Sequence, residues 1–496
     1  MIAVSKTLYT LWRACPNNAW LRLHKPEVYF AESLSEYDQS IIEFGTEVEL
    51  AGRGLFEGST LVDGESPDAQ RKTYELLCQQ APVVFQAAFE RDQLTAFIDV
   101  LQYDRNAGEY AIYEIKASTK SNPEHLYDVA FQVLLLRRCG LKIGRACLLH
   151  LNPDFRRNGP IRAEQLFETV DLTDQIAQRA EEIEREIELA RKYLLSETEP
   201  KGPCHCVYKG RANHCTTFGY TNPNIPAYGV HDLAHIGSSP KKLKELVDEE
   251  IFSLTDVPAG FAFSPAQKAQ VHVHRSGEQI VQERAIAKEL GELTFPLHFI
   301  DYETFAPAVP LFDGYGPYDP IPLEYSLHVI GVPGEEPIHR EFLHAEATDP
   351  SEAFVRSLAE HVAPFGSILV WNKSFESTVN DSIARRLPRL GDYLAEFNDR
   401  MYDLKDIFAK QYFVHRNFRG STSIKSVLPV LAPQLSYKSL VIQDGTAAAN
   451  AWGELMSGTL AEGEDSVLRA QLAEYCTLDS YGMVAIWNAL GRMVDA

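Results

Sequence analysis

Residues 297–307 read LHFIDYETFAP. Three of the four residues ahead of Asp301 are apolar or aromatic, as in a buried strand. Two acids follow with one residue between them, Asp301 and Glu303. Side chains alternate along a strand with a period of two, so both carboxylates face the same way. Like charges side by side at the end of an apolar strand repel. A shared proton, a cationic side chain or a metal ion must offset that cost.

The surrounding chain narrows the choice. FPLHFIDYETF, IPLEYSLHVIG and EPIHREFLHA read as strands, residues 350–364 as a helix, ILVWN as a strand and FESTVNDSIARRL as a helix. The stretch SVLRAQLAEYCTLDSYGMVAIWNALGRMV carries one long helical pattern, in which Tyr475 precedes Asp479 by a helical turn and shares its face. The strand ILVWN runs into Asn-x-x-Phe-Glu, which ends on Glu376. Asp301, Glu303, Glu376 and Asp479 thus supply four carboxylates, and Tyr475 a phenol. Four converging carboxylates require about two divalent cations, Mg2+ or Mn2+, and a pair ~3.5–4 Å apart clamps the attacking and leaving oxygens of a phosphodiester. Tyr475 is placed to orient the attacking water. Asp403, in MYDLKDIF, is a second candidate for the place of Glu376.

This order of motifs resembles the DEDD exonucleases of the DnaQ-like, RNase H-like group, in the tyrosine subtype. The resemblance implies an RNase H-like domain over 293–496 that degrades a strand from its 3′ end. Asp301 and Glu303 stand for its first motif, Asp479 for its third and Tyr475 for the subtype residue. The second motif normally ends in Asp, where this chain has Glu376.

The N-terminal half has a different texture. VVFQAAF, LTAFIDVLQYD and YAIYEIKAS read as a β-meander, HLYDVAFQVLLLRRCG as a helix with a glycine stop, and RACLLHLNP as a further strand. Glu114 and Lys116 share a strand face, and Asp99 lies on the neighbouring strand. Such acids bind a divalent metal through oxygen, and the lysine holds and polarises water. Glu47, on an earlier helix, and Gln132, on the following one, are candidates for added metal or water contacts. The arrangement resembles the RecB-like branch of the PD-(D/E)XK nucleases, over roughly residues 10–150. It implies a restriction-endonuclease-like fold with Asp99, Glu114, Lys116 and Gln132 in the site. The branch often has Gln-x-x-x-Tyr on that helix, and here the fourth position is Leu136.

CHCVYKGRANHC places Cys204, Cys206 and Cys215 in one loop, with His205 and His214 between them. Taken alone, the loop predicts a zinc site of Cys204, Cys206, Cys215 and His214. Iron–sulfur members of the RecB-like branch are similar in having one cysteine ahead of the nuclease core and three after it. That resemblance implies a 4Fe–4S cluster on Cys15, Cys204, Cys206 and Cys215. The spacing of the last three, Cys-x-Cys-x8-Cys, departs from the usual one. Both metals stay open on the sequence.

The 496 residues are 45% hydrophobic and 23% charged, with eight cysteines and a net charge of −22. That is ordinary globular composition. No apolar run reaches the ~18 residues of a membrane span, and the N-terminus carries no signal-peptide core, which predicts a cytoplasmic location. The acidic balance argues against a polyanionic partner only weakly, since metal-binding carboxylates count as negative here. Residues 171–199 read as one long amphipathic helix, 202–224 as an irregular loop and 228–290 as short helices. The expected plan is therefore α/β throughout: a RecB-like domain over 1–225, a helical connector over 226–292 and the DnaQ-like domain over 293–496. Nearly the whole chain resembles bacterial proteins that fuse a RecB-like nuclease to a C-terminal domain of formerly unknown function. The resemblance implies a two-site, metal-dependent DNA nuclease acting on single strands or ends, with no membrane partner. RNA processing, or a nucleic-acid-binding scaffold with one or both sites inactive, are the alternatives.

Overall fold

A computed structural model describes residues 3–31, 36–457, 460 and 463–494. The chain is mixed α/β and forms two compact units. The first comprises Met1–Val207, Asn213–Asn224 and Pro307–Tyr318, and the second Tyr208–Ala212, Ile225–Ala306 and Asp319–Ala496. Residues 226–292, expected as a connector, cluster with the second unit.

The main elements of the first unit are α1 (Lys6–Ala14), α2 (Pro16–His24), α3 (Glu36–Arg53), β1 (Val83–Arg91), β2 (Leu94–Asp104), β3 (Glu109–Lys116), α4 (Pro123–Arg138), β4 (Ile143–Leu151), β5 (Phe167–Asp171) and α5 (Ala180–Leu194). Strands β1, β2 and β3 are antiparallel neighbours, β4 pairs parallel to β3, and β5 pairs antiparallel to β4. Two short strands, Val4–Ser5 and Ser59–Leu61, extend this sheet. Helix α4 starts at an Asn122 capping box with Pro123 in its first turn, and packs its buried face on the sheet. The helix expected over 171–199 is present but broken at Arg179 into Thr173–Gln178 and Ala180–Leu194, and the strand Phe167–Asp171 comes just before it. The strand forms because Phe167–Asp171 has an open sheet edge to pair with, which local periodicity does not register.

The second unit holds β6 (Leu297–Phe305), β7 (Ile321–Ile330), β8 (Ile338–Leu343), α6 (Ser351–His361), β9 (Ile368–Val370), α7 (Lys373–Arg386), β10 (Met401–Asp403), α8 (Ile424–Leu431), α9 (Gly445–Ser457) and α10 (Glu464–Val494). Its sheet runs β8-β7-β6-β9-β10, the first two pairings antiparallel and the last two parallel. The period of two sorts the strands. Ile300, Tyr302, Tyr325 and Leu327 pack with Phe354, Leu358, Val379 and Ile383 of α6 and α7. Leu297 and Phe299 face the other way, into a core with Leu428, Tyr475 and Met483. On that second face Ser480 of α10 bonds Ser326 at 2.6 Å and His328 at 2.8 Å, and His339 bonds Ser326 at 2.9 Å. This polar network sets the rotation of α10 against the sheet and hence the direction of the adjacent Asp479.

The turn into β9 depends on Gly366, whose φ is +88°. A Cβ there would run into the Pro296 carbonyl oxygen. Gly366→Ala is expected to destabilise the second unit by about 2–3 kcal/mol, measured as a lowered midpoint in a urea titration.

Candidate functional site

Asp301, Glu303 and Asp479 converge. One oxygen from each lies within 4.8 Å of the other two, with Asp479 buried and the other two partly so. Strand β6 supplies the first two on one face, and α10 lays the third over them. Burial, then the Asp479 and Glu303 charges, push the Asp301 carboxyl well above its ordinary value. Asp479 is raised to about 6 by burial, against hydrogen bonds from Tyr437 and Tyr475. The Tyr437 hydroxyl donates to Asp479 Oδ1 at 2.5 Å, and Tyr475 also hydrogen-bonds Glu303. Lys425 Nζ lies 5.7 Å from both phenol rings and donates to the Gln443 carbonyl at 2.7 Å. Its charge acts on Glu303 and Asp479, lowering their values against the larger effect of burial. A Cβ on Gly445, at the start of α9, would sit 3.3 Å from Glu303 Oε2, so the backbone there approaches that carboxylate closely. Octahedral Mg2+ or Mn2+ with bonds of ~2.1 Å puts ligand oxygens about 3–4 Å apart, and three carboxyl groups this crowded suit such an ion.

Glu376 lies outside that group. It sits in the first turn of α7, is 2% exposed and leaves Oε2 without a partner. Burial raises it to about 8, and Asp403 adds to the shift. Its charge is still among those acting on Asp301. The alternative, Asp403, spends its oxygens on the backbone N–H groups of Lys373 and Lys405, both at 3.1 Å, and so caps the turn below α7.

In the first unit the expected residues meet, but their charges are already matched from within. Glu114 Oε1 accepts from Lys6 and Lys116, both at 2.7 Å, and Oε2 accepts from Gln132 at 2.7 Å. Lys116 also pairs with Asp128 at 2.5 Å. Burial would raise the Glu114 carboxyl, but the two lysines more than offset it and hold it well below the usual range. Asp99 accepts from Ile115 N–H at 2.9 Å and Gln86 at 3.3 Å, and is pushed up to about 7 by burial and the Glu114 charge. Gln86 itself has φ +52°, a strained conformation for a residue with a Cβ, at the point of β1 across from Asp99. Glu47 does not join this group. It is exposed, and the acid of α3 that reaches Gln86 is Glu49, at 2.7 Å. A shift of two positions along α3 accounts for the difference, because residues two apart on a helix face in different directions. Among the described residues, Asp99, Glu114 and Glu47 do not form a third metal-type cluster.

The cysteines do come together. Cys15, Cys204, Cys206 and Cys215 offer sulfurs that all lie within 4.8 Å of one another, and all are free thiols. This centre could hold a metal ion or a metal cluster. Cys15 stands between α1 and α2 as the cap of both. His214 is outside the group and stacks on Phe218 at 3.5 Å.

A family model described as a domain of unknown function (DUF2779) matches residues 298–423. No curated protein matches the chain. The matched stretch contains Asp301, Glu303, Glu376 and Asp403 and ends before Lys425, Tyr437, Tyr475 and Asp479.

Several site residues escape a reading of the sequence. Tyr437 and Lys425 lie in irregular or short segments far from any motif. Lys6 precedes the meander by some distance, and only folding brings it to Glu114. Glu324 pairs directly with Glu303 across β6 and β7, is 1% exposed and has neither oxygen partnered. Burial, with Glu341 nearby, raises it to about 8. Asp128 was within reach, since it lies one helical turn before Gln132.

Lys6 has an 18% exposed side chain paired with a 2% exposed Glu114. Lys6→Met should leave Asp99, Glu114 and Asp128 with one lysine and lower the stability of the first unit by about 2–4 kcal/mol, read as a drop in thermal midpoint.

Proposed function

We propose that the protein is a metal-dependent nuclease whose working centre is Asp301, Glu303 and Asp479, acting as a 3′-to-5′ exonuclease on DNA. The observation that carries this reading is the convergence of those three carboxylates beneath two phenols and one lysine. The β8-β7-β6-β9-β10 order, with β6 central and two parallel strands beyond it, supports an RNase H-like reading of the second unit. In this reading Asp301, Glu303 and Asp479 hold Mg2+ or Mn2+. When bound, the ion polarises the phosphate and lowers the pKa of water. Tyr475 and Tyr437 lie far above the ordinary phenol range, through burial first and the neighbouring carboxylates second, so both remain protonated donors. Tyr475 then orients the attacking water, and Tyr437 fixes Asp479. Lys425, exposed at the edge of the group, meets the charge of the incoming phosphodiester.

For the first unit the helix–meander–helix–strand order, with β4 parallel to β3, supports the PD-(D/E)XK reading. A second reading is favoured by the ion pairs of Lys6 and Lys116: this unit binds nucleic acid and does not cut it. The cysteine centre is structural in either case and supplies no step.

The test uses 5′-labelled single-stranded DNA and RNA with Mg2+ or Mn2+. Asp301→Asn should cut the rate of 3′ shortening by about 10³-fold or more, and a chelator should abolish it. Tyr475→Phe should slow the reaction roughly 10²-fold with binding intact. Glu376 lies outside the three-acid group, so Glu376→Asp should leave the preference between Mg2+ and Mn2+ unchanged, whereas Glu303→Asp should shift it, because Mg2+ tolerates distorted geometry poorly. An unchanged ladder from Asp301→Asn removes the exonuclease reading. If Lys116→Ala leaves every cleavage product of the wild type in place, the first unit is a scaffold.

A further inference from the structure

We propose that Cys15, Cys204, Cys206 and Cys215 hold one tetrahedral zinc ion rather than a 4Fe–4S cluster. The inference rests on the cysteine geometry alone and is independent of the nuclease reading. Cys15 and Cys215 sulfurs are 3.7 Å apart, and those of Cys204 and Cys215 are 3.8 Å apart. A disulfide would need ~2 Å, so these are unbonded thiols facing a common centre. Four thiolates around one ion with bonds of ~2.3 Å define a tetrahedron whose edges are about 3.8 Å. An iron–sulfur cube instead places its own iron under each thiolate and spreads the ligand sulfurs to roughly 6 Å. All four sulfurs here lie within 4.8 Å of one another, so the cube does not fit between them.

The donor set agrees with the distances. Four thiolates with no carboxylate or water position form a closed structural site of the kind zinc takes, and because iron–sulfur clusters use the same donors the distances decide between them. The loop-only alternative with His214 fails because that ring is stacked on Phe218 and lies outside the group. The outer shell is also in place. Asn222 Nδ2 donates to Cys204 Sγ at 3.4 Å. Asn18 Oδ1, in the first turn of α2, accepts from Thr216 Oγ1 at 3.0 Å and Thr217 Oγ1 at 2.8 Å, and so holds the chain just after Cys215 against α2. Such partners orient thiolate ligands. The ion would join the N-terminal helix pair to a segment about 190 residues later.

The experiment uses the full chain, expressed with both iron and zinc supplied and purified anaerobically. Metals are counted by mass spectrometry and acid-labile sulfide by colorimetry. About one zinc per chain, no sulfide and no band near ~400 nm is the expected result. Asn222→Ala keeps all four thiolates, so it should retain the zinc stoichiometry but release the ion to a competing chelator about 10–100-fold more readily. Cys15→Ser should lose the zinc, whether or not the first unit then folds. Iron with stoichiometric sulfide and a visible band, a single iron, or a folded protein with no metal would each overturn the assignment.

Discussion

Two unit charges 4–5 Å apart repel by about 3–4 kcal/mol at an effective dielectric constant of ~20. Asp301, Glu303 and Asp479 form three such pairs. Left fully ionised, they would cost about as much as the whole stability of an ordinary domain. The second unit therefore depends on something that removes part of that charge. Its own devices are two phenol donors and Lys425, and they leave Asp301 well above its ordinary value. In the proposed reading a divalent cation would remove the remainder and make the same crowding a binding site. The polar network of Ser326, His328, His339 and Ser480 makes this arrangement hard to relax, because α10 cannot roll Asp479 away without breaking it.

The first unit solves a similar problem by the opposite means. Asp99, Glu114 and Asp128 would repel as strongly, but Lys6 and Lys116 enter the group as internal cations. Glu114 is consequently held ionised, with both oxygens accepting from protein groups. The first cluster thus carries internal cations, while Asp301, Glu303 and Asp479 have only Lys425 nearby. The cysteine centre is a third case: four soft donors that repel when ionised and share one centre.

Much of the fold was legible beforehand. The meander 83–116, the helix after it and the strand 143–151 follow from β-rich runs between turns, apolar residues at helical spacing and a glycine stop. The pair Asp301 and Glu303, and the register of Tyr475 with Asp479, follow from the periods of strand and helix. The amphipathic pattern of 171–199 marks its helices, but the strand 167–171 ahead of them has no such local signal, because it forms only where an open sheet edge is there to pair with. Glu47 and Glu49 differ by two positions on one helix, and only the packing of α3 decides which of them turns toward Gln86.

The sequence by itself determined which chemistry is on offer: paired acids ending a strand, an acid one turn after a tyrosine, a Glu-x-Lys beside an Asp, and three cysteines in a short loop. These are local facts, set by covalent spacing and backbone period. Tertiary structure alone decided which of those groups share a centre. It brought Tyr437 and Lys425 to Asp479 and Glu303, left Glu376 outside the three-acid group, inserted Lys6 beside Glu114, and delivered Cys15 to within 4.8 Å of three distant cysteine sulfurs. The reason is physical. The energies that select partners across long sequence separations come from burial, packing and desolvated charge, and these exist only once the elements have met.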